Sequence, residues 1–195
     1  LHDYCRERSS ASEETPLIGM LHTRWATSGG RPTIETGQPM QSDRRGEFTL
    51  VLNGMISNDD ELRKEIINSG AYEEKLRTET DTEVVARLFY EIYHRNVSMD
   101  GGPKPSFEDL CRRVAGMCKG AYAIAVISKH YPGEVVAYAN QMTFCIGLGD
   151  GNAEFRGTDA ESRYLCPGGD YYEFCSDPRA MTERIKNLCY LKNGD

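Results

Sequence analysis

Residues 79–92 read ETDTEVVARLFYEI and predict an amphipathic helix that packs on a sheet. Thr80 followed by Glu83 forms a capping box, which is a typical helix start. After this box the apolar residues recur at helical spacing and form one stripe. The stripe consists of Val84, Val85, Leu88, Phe89 and Ile92. We therefore expect this helix to bury its stripe against one sheet.

Strand-like and helix-like segments alternate on both sides of this helix. Further helices are expected to begin at Asn58, Ser106 and Ser176, which are good N-cap residues. Strands are expected over residues 17–23, 47–52, 121–127, 135–138, 144–146, 171–175 and 188–191. Residues 147–170 have no period and little apolar content, so they predict an exposed insertion. Few helices and many strands predict an α+β fold in which stacked sheets lie between helix layers.

Length, charge and cysteine content narrow the functional classes. The 195 residues suit one domain, and the net charge of −7 argues against nucleic acid or an anionic membrane as a partner. The sequence contains no run of about 18 apolar residues, which a membrane-spanning helix would need. Its polar start does not resemble a secretion signal. Seven cysteines without a C-x-x-C pair and four scattered histidines argue against a structural zinc site. We expect reduced cysteines, a cytoplasmic protein, and neither a metal nor a cofactor.

The loop over residues 24–45 is rich in glycine, proline, threonine and serine, and a loop of this length is usually functional. Arg24 has the geometry to grip a carboxylate with two parallel hydrogen bonds. Trp25 is the single tryptophan and could close over a small ligand. The alternative is that Arg24 makes a surface ion pair and Trp25 packs on the core.

Two further positions have the chemistry of a binding site. The Asn53 amide and the Gly54 backbone N–H, side by side, could stabilise a developing oxyanion, although Asn-Gly equally predicts a plain hairpin turn. Asp81 could bind a ligand ammonium group, or it could only complement the helix dipole.

Three runs together resemble a known family. Residues 19–27 (GMLHTRWAT), 52–58 (LNGMISN) and 79–83 (ETDTE) match, in order and spacing, motifs of the glutaminase domain of glutamine–fructose-6-phosphate amidotransferase. Residues 119–123, 175–180 and 190–195 look like the same family, and the segment before Tyr171 is similar to an insertion in its eukaryotic members. The resemblance extends over nearly the whole chain from Ile18 onward.

The resemblance implies a fold and a reaction. The fold is the four-layer αββα sandwich of the N-terminal-nucleophile hydrolases, here without its first strand and helix. In the reaction an N-terminal cysteine, with its own α-amine as base, attacks the side-chain amide of L-glutamine and releases ammonia for hexosamine synthesis. Residues 1–195 would form this glutaminase domain, and sugar-isomerase domains outside the chain would use the ammonia in a homo-oligomeric enzyme.

The family's roles can be carried over to six residues, which should converge on one pocket. Arg24 would bind the α-carboxylate of glutamine, and Asp81 would bind its α-ammonium group. Thr27 would add a hydrogen bond to the substrate, and Trp25 would form the lid. Asn53 and Gly54 would form the oxyanion hole. Replacing Arg24 by alanine should weaken glutamine binding most, by about 1.5–3 kcal/mol, and lysine should not restore it fully.

The sequence also departs from the family near the site. Ser28, Gln38 and Leu52 stand where the family has histidines, and residues 139–143 lack its arginine. Leu1 offers an α-amine without a thiol, so we predict that this polypeptide has no glutaminase activity of its own. Three interpretations remain open: a truncated active glutaminase domain, a degenerate domain with a structural or regulatory role, and a glutaminase domain from another amidotransferase.

Overall fold

The computed structural model describes residues 18–23, 33–69, 75–99, 103–148, 172–181, 185 and 187–191. The α-helices in that part are α1 (Asp59–Ser69), α2 (Asp81–His94) and α3 (Phe107–Met117), and a π-helical turn, Arg95–Met99, continues α2. The strands are β1 (Met40–Gln41), β2 (Phe48–Gly54), β3 (Tyr122–Ser128), β4 (Val135–Asn140), β5 (Cys145–Leu148), β6 (Tyr172–Cys175) and β7 (Asn187–Tyr190). A short 3-10 helix spans Pro178–Ala180. None of these described helices has the length and apolar character that crossing a membrane requires.

The helices form where the sequence predicts them. The Thr80 hydroxyl accepts the Glu83 N–H at the start of α2, and the Ser106 hydroxyl accepts the Asp109 N–H at the start of α3. These bonds satisfy backbone donors that have no partner within the helix. The apolar stripe of α2 is buried as expected, with Ile92 half-buried at its end.

The strands form two antiparallel sheets, with the orders β1-β2-β3-β4 and β6-β5-β7. Successive side chains of a strand point to opposite faces, and β3 uses both faces. Tyr122, Ile124 and Val126 join the core beneath the helices, whereas Ala123 and Ala125 join the core between the sheets. The alanines allow the two sheets to approach closely, because they add little thickness at the centre of the interface.

Three apolar clusters define the layers. The largest lies between the helices and the first sheet, and the second lies between the sheets, where Phe144, Ile146 and Leu191 meet the alanines of β3 and β4. The third lies on the outer side of the second sheet and contains Met181 and Ile185. The α+β prediction of stacked sheets with helices outside is therefore confirmed.

Several local predictions need correction. Residues 18–23 are not a strand: they join no ladder among the described strands, and local β propensity alone does not make a strand. Residues 147 and 148 belong to β5 rather than to an exposed insertion, and residues 149–170 lie outside the described part. Asp177, not Ser176, caps the 3-10 helix, because its carboxylate accepts the Arg179 N–H at 3.0 Å.

The side chain of Asn58 also differs from its predicted role. The backbone carbonyl of Asn58 accepts the N–H groups of Glu61 and Leu62 in α1, as the carbonyl of an N-cap residue should. Its amide, however, bridges to the segment before β3, donating to the Met117 carbonyl at 3.0 Å and accepting the Lys119 N–H at 2.8 Å. Asn58 therefore holds the turn after β2 against the start of β3.

Candidate functional site

Strand β2 ends in a glycine that no other residue could replace without strain. Gly54 has φ of 110°, and a Cβ there would collide with the Ala121 carbonyl oxygen on β3. Directly before it, Asn53 is half-buried, and its side chain has no hydrogen-bond partner among the described residues. Within the described part of the chain, the structure therefore presents an amide without a partner beside a close-packed, left-handed glycine.

Asp81, in the first turn of α2, lies against the segment that follows this glycine. Its carboxylate is 5% exposed and accepts the Ile56 N–H at 3.0 Å and the Thr82 N–H at 2.8 Å. One hydrogen bond thus joins the start of α2 to a residue two positions after Gly54. Of the six predicted site residues, the described part of the chain brings together Asn53, Gly54 and Asp81.

The other three predicted residues, Arg24, Trp25 and Thr27, lie outside the described residues, as does Ser28. Their approach to Asp81 stays a prediction. So does the expectation that all six residues converge on one pocket.

Gln38 holds β2 in place just before Asn53. Its Oε1 accepts the Leu52 N–H at 2.7 Å, and its Nε2 donates to the Leu52 carbonyl at 3.1 Å and to the Thr82 hydroxyl at 3.1 Å. A single side chain therefore serves both backbone groups of Leu52 and reaches the first turn of α2. In the sequence Gln38 stands out only as a position where the family has histidine, since no local pattern predicts such a contact between residues 14 apart.

A buried carboxylate supports the first turn of α2. Glu83 is fully buried and accepts the backbone N–H groups of Arg77 and Thr78, together with the Thr78 hydroxyl at 2.8 Å. Burial raises the pKa of this carboxyl, but the hydrogen bonds outweigh burial and leave the pKa below its usual 4.5. Glu83 therefore orders residues 77–80, rather than reaching back to the Thr80 N–H as a complete capping box would.

Three of the described cysteines do not have the character of nucleophiles. Cys111, Cys118 and Cys145 are buried, and burial raises the pKa of the Cys111 and Cys118 thiols to about 12. Cys175 and Cys189 lie half-buried on β6 and β7. A thiol attacks as its thiolate, so the buried thiols are inert at neutral pH.

A second polar cluster lies at the other end of β2 and α2. Glu47, His94 and His130 place one ligand atom each within 4.8 Å of one another, and in the described part of the chain they are the one group that could hold a metal ion. Near this end, a groove of about 310 Å³ runs past Thr49, Ile127 and Glu134. The groove is remote from Asn53 and Asp81 and is not their binding pocket.

Comparison with known proteins identifies the domain. The model of the glutamine amidotransferase domain family matches residues 22–143, which contain every described residue of the candidate site. The chain belongs to the glutamine amidotransferase family.

This amidotransferase domain is similar to one group of enzymes in particular. It is 38% identical over 172 residues to glutamine–fructose-6-phosphate aminotransferase [isomerizing] 2 of Homo sapiens, covering 88% of this chain and 22% of that protein. The aminotransferase of the same name from Saccharomyces cerevisiae is 37% identical over 130 residues, covering 67% of this chain and 17% of that protein. The chain thus spans about a fifth of the length of these relatives.

Two solved structures show the same fold. Glutamine phosphoribosylpyrophosphate amidotransferase from B. subtilis aligns with a TM-score of 0.54 at 22% identity, covering 87% of this chain and 29% of that one. A structure described as the allosteric regulatory enzyme of purine biosynthesis aligns with a TM-score of 0.57 at 22% identity, covering 88% of this chain and 30% of that one. This chain therefore shares the fold of these two enzymes.

Proposed function

We propose that this domain binds L-glutamine beside Asn53, Gly54 and Asp81 as part of an enzyme that hydrolyses the side-chain amide. The ammonia would serve the conversion of fructose 6-phosphate to glucosamine 6-phosphate. The observation that carries the proposal is the bond from the Ile56 N–H to Asp81, which sets a buried carboxylate beside the end of β2. That end carries two hydrogen-bond donors, so a carboxylate that can accept an ammonium group and donors for an oxyanion belong to one short region.

Asp81 has the capacity to bind the α-ammonium group of the substrate. A carboxylate offers about four lone-pair sites, and Asp81 uses three, for the Ile56 N–H, the Thr82 N–H and the Thr82 hydroxyl. These bonds fix the carboxylate, and a fixed charge loses no further rotamer freedom when the ligand arrives. Arg24 would hold the α-carboxylate, Thr27 would add a hydrogen bond, and Trp25 would cover the ligand.

Asn53 and Gly54 would stabilise the oxyanion that forms when the amide carbon is attacked. Gln38 keeps the preceding peptide of Leu52 in place, so the two donors need no rearrangement. In the proposed reaction a thiolate adds to the amide carbon, ammonia leaves with a proton from the base, and water hydrolyses the thioester.

The nucleophile in this proposal is a cysteine whose own α-amine is the base. The described thiols lack that amine, and Cys118, the thiol that interacts electrostatically with Asp81, is buried with a raised pKa. We therefore propose that the 195-residue polypeptide alone does not hydrolyse glutamine. The complete enzyme would join this domain, residues 1–195, to sugar-isomerase domains in a cytoplasmic homo-oligomer. The five free cysteines among the described residues support a reducing compartment.

A second candidate function is a degenerate domain with a structural or regulatory role. Gln38 and Leu52 favour it, because these substitutions turn family histidine positions into a structural clamp. Glutamine binding separates the two candidates, since a purely structural domain has no reason to retain an ammonium site.

The test is the affinity of the purified chain for L-glutamine, measured by calorimetry. Asp81→Asn should weaken binding by about 1.5–3 kcal/mol, the usual contribution of a charged hydrogen bond. Asp43→Asn is the matched control, because Asp43 is another buried carboxylate with three hydrogen bonds, at the far end of β2. It should destabilise the fold to a similar extent without changing glutamine affinity.

The ligand provides a second check. Glutaramate lacks the α-amino group, so it should bind the parent chain and Asp81→Asn equally weakly. If Asp81→Asn weakens both ligands equally, Asp81 does not hold the ammonium group. If the parent chain does not bind L-glutamine at all, the structural alternative replaces the proposal.

A further inference from the structure

Three polar side chains from distant parts of the sequence meet at the end of the domain away from the candidate glutamine site. Glu47 immediately precedes β2, His94 ends α2, and His130 lies in the turn between β3 and β4. His94 Nε2 lies 2.7 Å and His130 Nε2 lies 2.9 Å from the same oxygen, Glu47 Oε2. The three side chains are 12–34% exposed, so the cluster is reachable from solvent.

The surrounding structure holds these side chains in position. The His130 ring stacks on Tyr93 with centroids 4.2 Å apart, and the His94 ring lies 4.2 Å from that of Tyr90. The Glu47 N–H donates to Asp43 at 2.8 Å, and the Glu47 carbonyl accepts the Ser128 hydroxyl at 2.8 Å. Contacts outside the cluster therefore hold the two rings and the backbone of Glu47 in place.

We propose that Glu47, His94 and His130 form a binding site for a divalent transition-metal ion, with zinc as the preferred ion. Two imidazoles and one carboxylate are a known zinc ligand set, which leaves a fourth position for water. Tetrahedral ligands about 2.1 Å from zinc lie about 3.4 Å from each other. The ligand atoms here lie within 4.8 Å, so small side-chain rotations would suffice.

Hard cations fit this site less well. Ca²⁺ and Mg²⁺ require mostly oxygen ligands, whereas imidazole nitrogen favours zinc, copper and nickel. Binding would replace the two hydrogen bonds to Glu47 by bonds from each ligand to one ion. Such an ion would join β2, α2 and the β3–β4 turn, so its effect would be on the stability of this end of the domain.

The test titrates the purified full chain with Co²⁺, whose visible spectrum reports its ligands, and then displaces it with Zn²⁺. We expect one equivalent to bind with the spectrum of nitrogen and oxygen ligands, without a thiolate charge-transfer band. Glu47→Gln should weaken Co²⁺ affinity about tenfold or more, and the double change His94→Gln with His130→Gln should abolish this site. Zn²⁺ should raise the Tm of the parent chain but not that of the double variant.

The controls distinguish Co²⁺ binding at this site from binding by other carboxylate and histidine side chains. Glu134→Gln removes an exposed carboxylate beside the same turn, and His22→Gln removes a histidine elsewhere; both should bind Co²⁺ like the parent chain. Glutamine at His94 and His130 keeps donors that can bond to Glu47, and circular dichroism would confirm that the variants fold. Unchanged Co²⁺ affinity in the double variant, or a thiolate band in the parent spectrum, would overturn the proposal. Failure of Zn²⁺ to raise the parent Tm would overturn it equally.

Discussion

The two ends of β2 and α2 present two polar regions of different construction. Glu47 and Asn53 are six positions apart along extended chain, and Asp81 and His94 are thirteen positions apart along a helix, which is roughly 20 Å in both cases. At the Asn53 end, one amide has no hydrogen-bond partner among the described residues. At the Glu47 end, each of the three side chains is bonded within its own cluster.

This difference shows how each end could use a ligand. Under the proposed function, substrate would give the Asn53 amide a hydrogen bond that no described residue gives it, so the Asn53 end would take a transient ligand. Groups that already satisfy each other gain only if the ligand binds them more strongly than they bind one another. An ion that bonds all three ligand atoms meets that condition, and a neutral small molecule does not.

The two ends also differ in how tightly the backbone is packed, and glycine substitutions test this with the largest expected effect. Gly54→Ala should destabilise the domain by about 3–5 kcal/mol, because it adds strain at positive φ to a collision with backbone. Gly46→Ala, near Glu47, also has positive φ, but its Cβ would meet only the flexible side chain of Gln41. It should cost only about 1–2 kcal/mol in denaturant unfolding. Equal costs would show that the Asn53 end is no more rigid than the other.

Glu83 tests whether charge supports the Asn53 end. Glu83→Gln should cost about 1.5–3 kcal/mol at pH 7, because it weakens charge-assisted bonds to Arg77 and Thr78. Glu108→Gln is the control, since Glu108 also lies in the first turn of a helix, α3, with an arginine partner, but in an exposed pair. It should cost less than about 1 kcal/mol.

The effect of Glu83 should depend on pH in one direction. Its folded-state pKa is lowered, so its stabilisation is complete above the unfolded value near 4.5 and is lost as pH falls toward the folded value. The gap between the parent chain and Glu83→Gln should therefore shrink below about pH 4.5. A gap that widens in acid would mean that Glu83 is protonated in the folded domain.

The smallest expected effect belongs to the clamp before Asn53. Gln38→Ala leaves both backbone groups of Leu52 without the clamp and should cost about 1–3 kcal/mol. It should also weaken glutamine binding, because Asn53 follows directly. Gln41→Ala, three positions further on in β1 and exposed, should change stability by less than about 0.5 kcal/mol. If the Gln38→Ala variant is as stable as the parent chain and binds glutamine with unchanged affinity, Gln38 has no role in the candidate site.

Local sequence patterns predicted much of the fold. The caps at Thr80 and Ser106 and the apolar stripe of α2 predicted two helices, because capping and periodicity act over a few residues. The same reasoning failed for residues 18–23, where strand formation depends on a partner and not on the residues themselves. It also misassigned the Asn58 side chain, whose partners lie 59 and 61 positions away.

By itself the sequence determined the family, the α+β class and the candidate roles of Asn53, Gly54 and Asp81, because these rest on short motifs in a given order. Only the tertiary structure decided that Gln38 clamps Leu52, that Glu83 orders residues 77–80, and that Glu47 meets two histidines. The reason is physical: a hydrogen bond or a metal site depends on distance in space. Residues 47, 94 and 130 become neighbours only when a strand, a helix and a turn pack together.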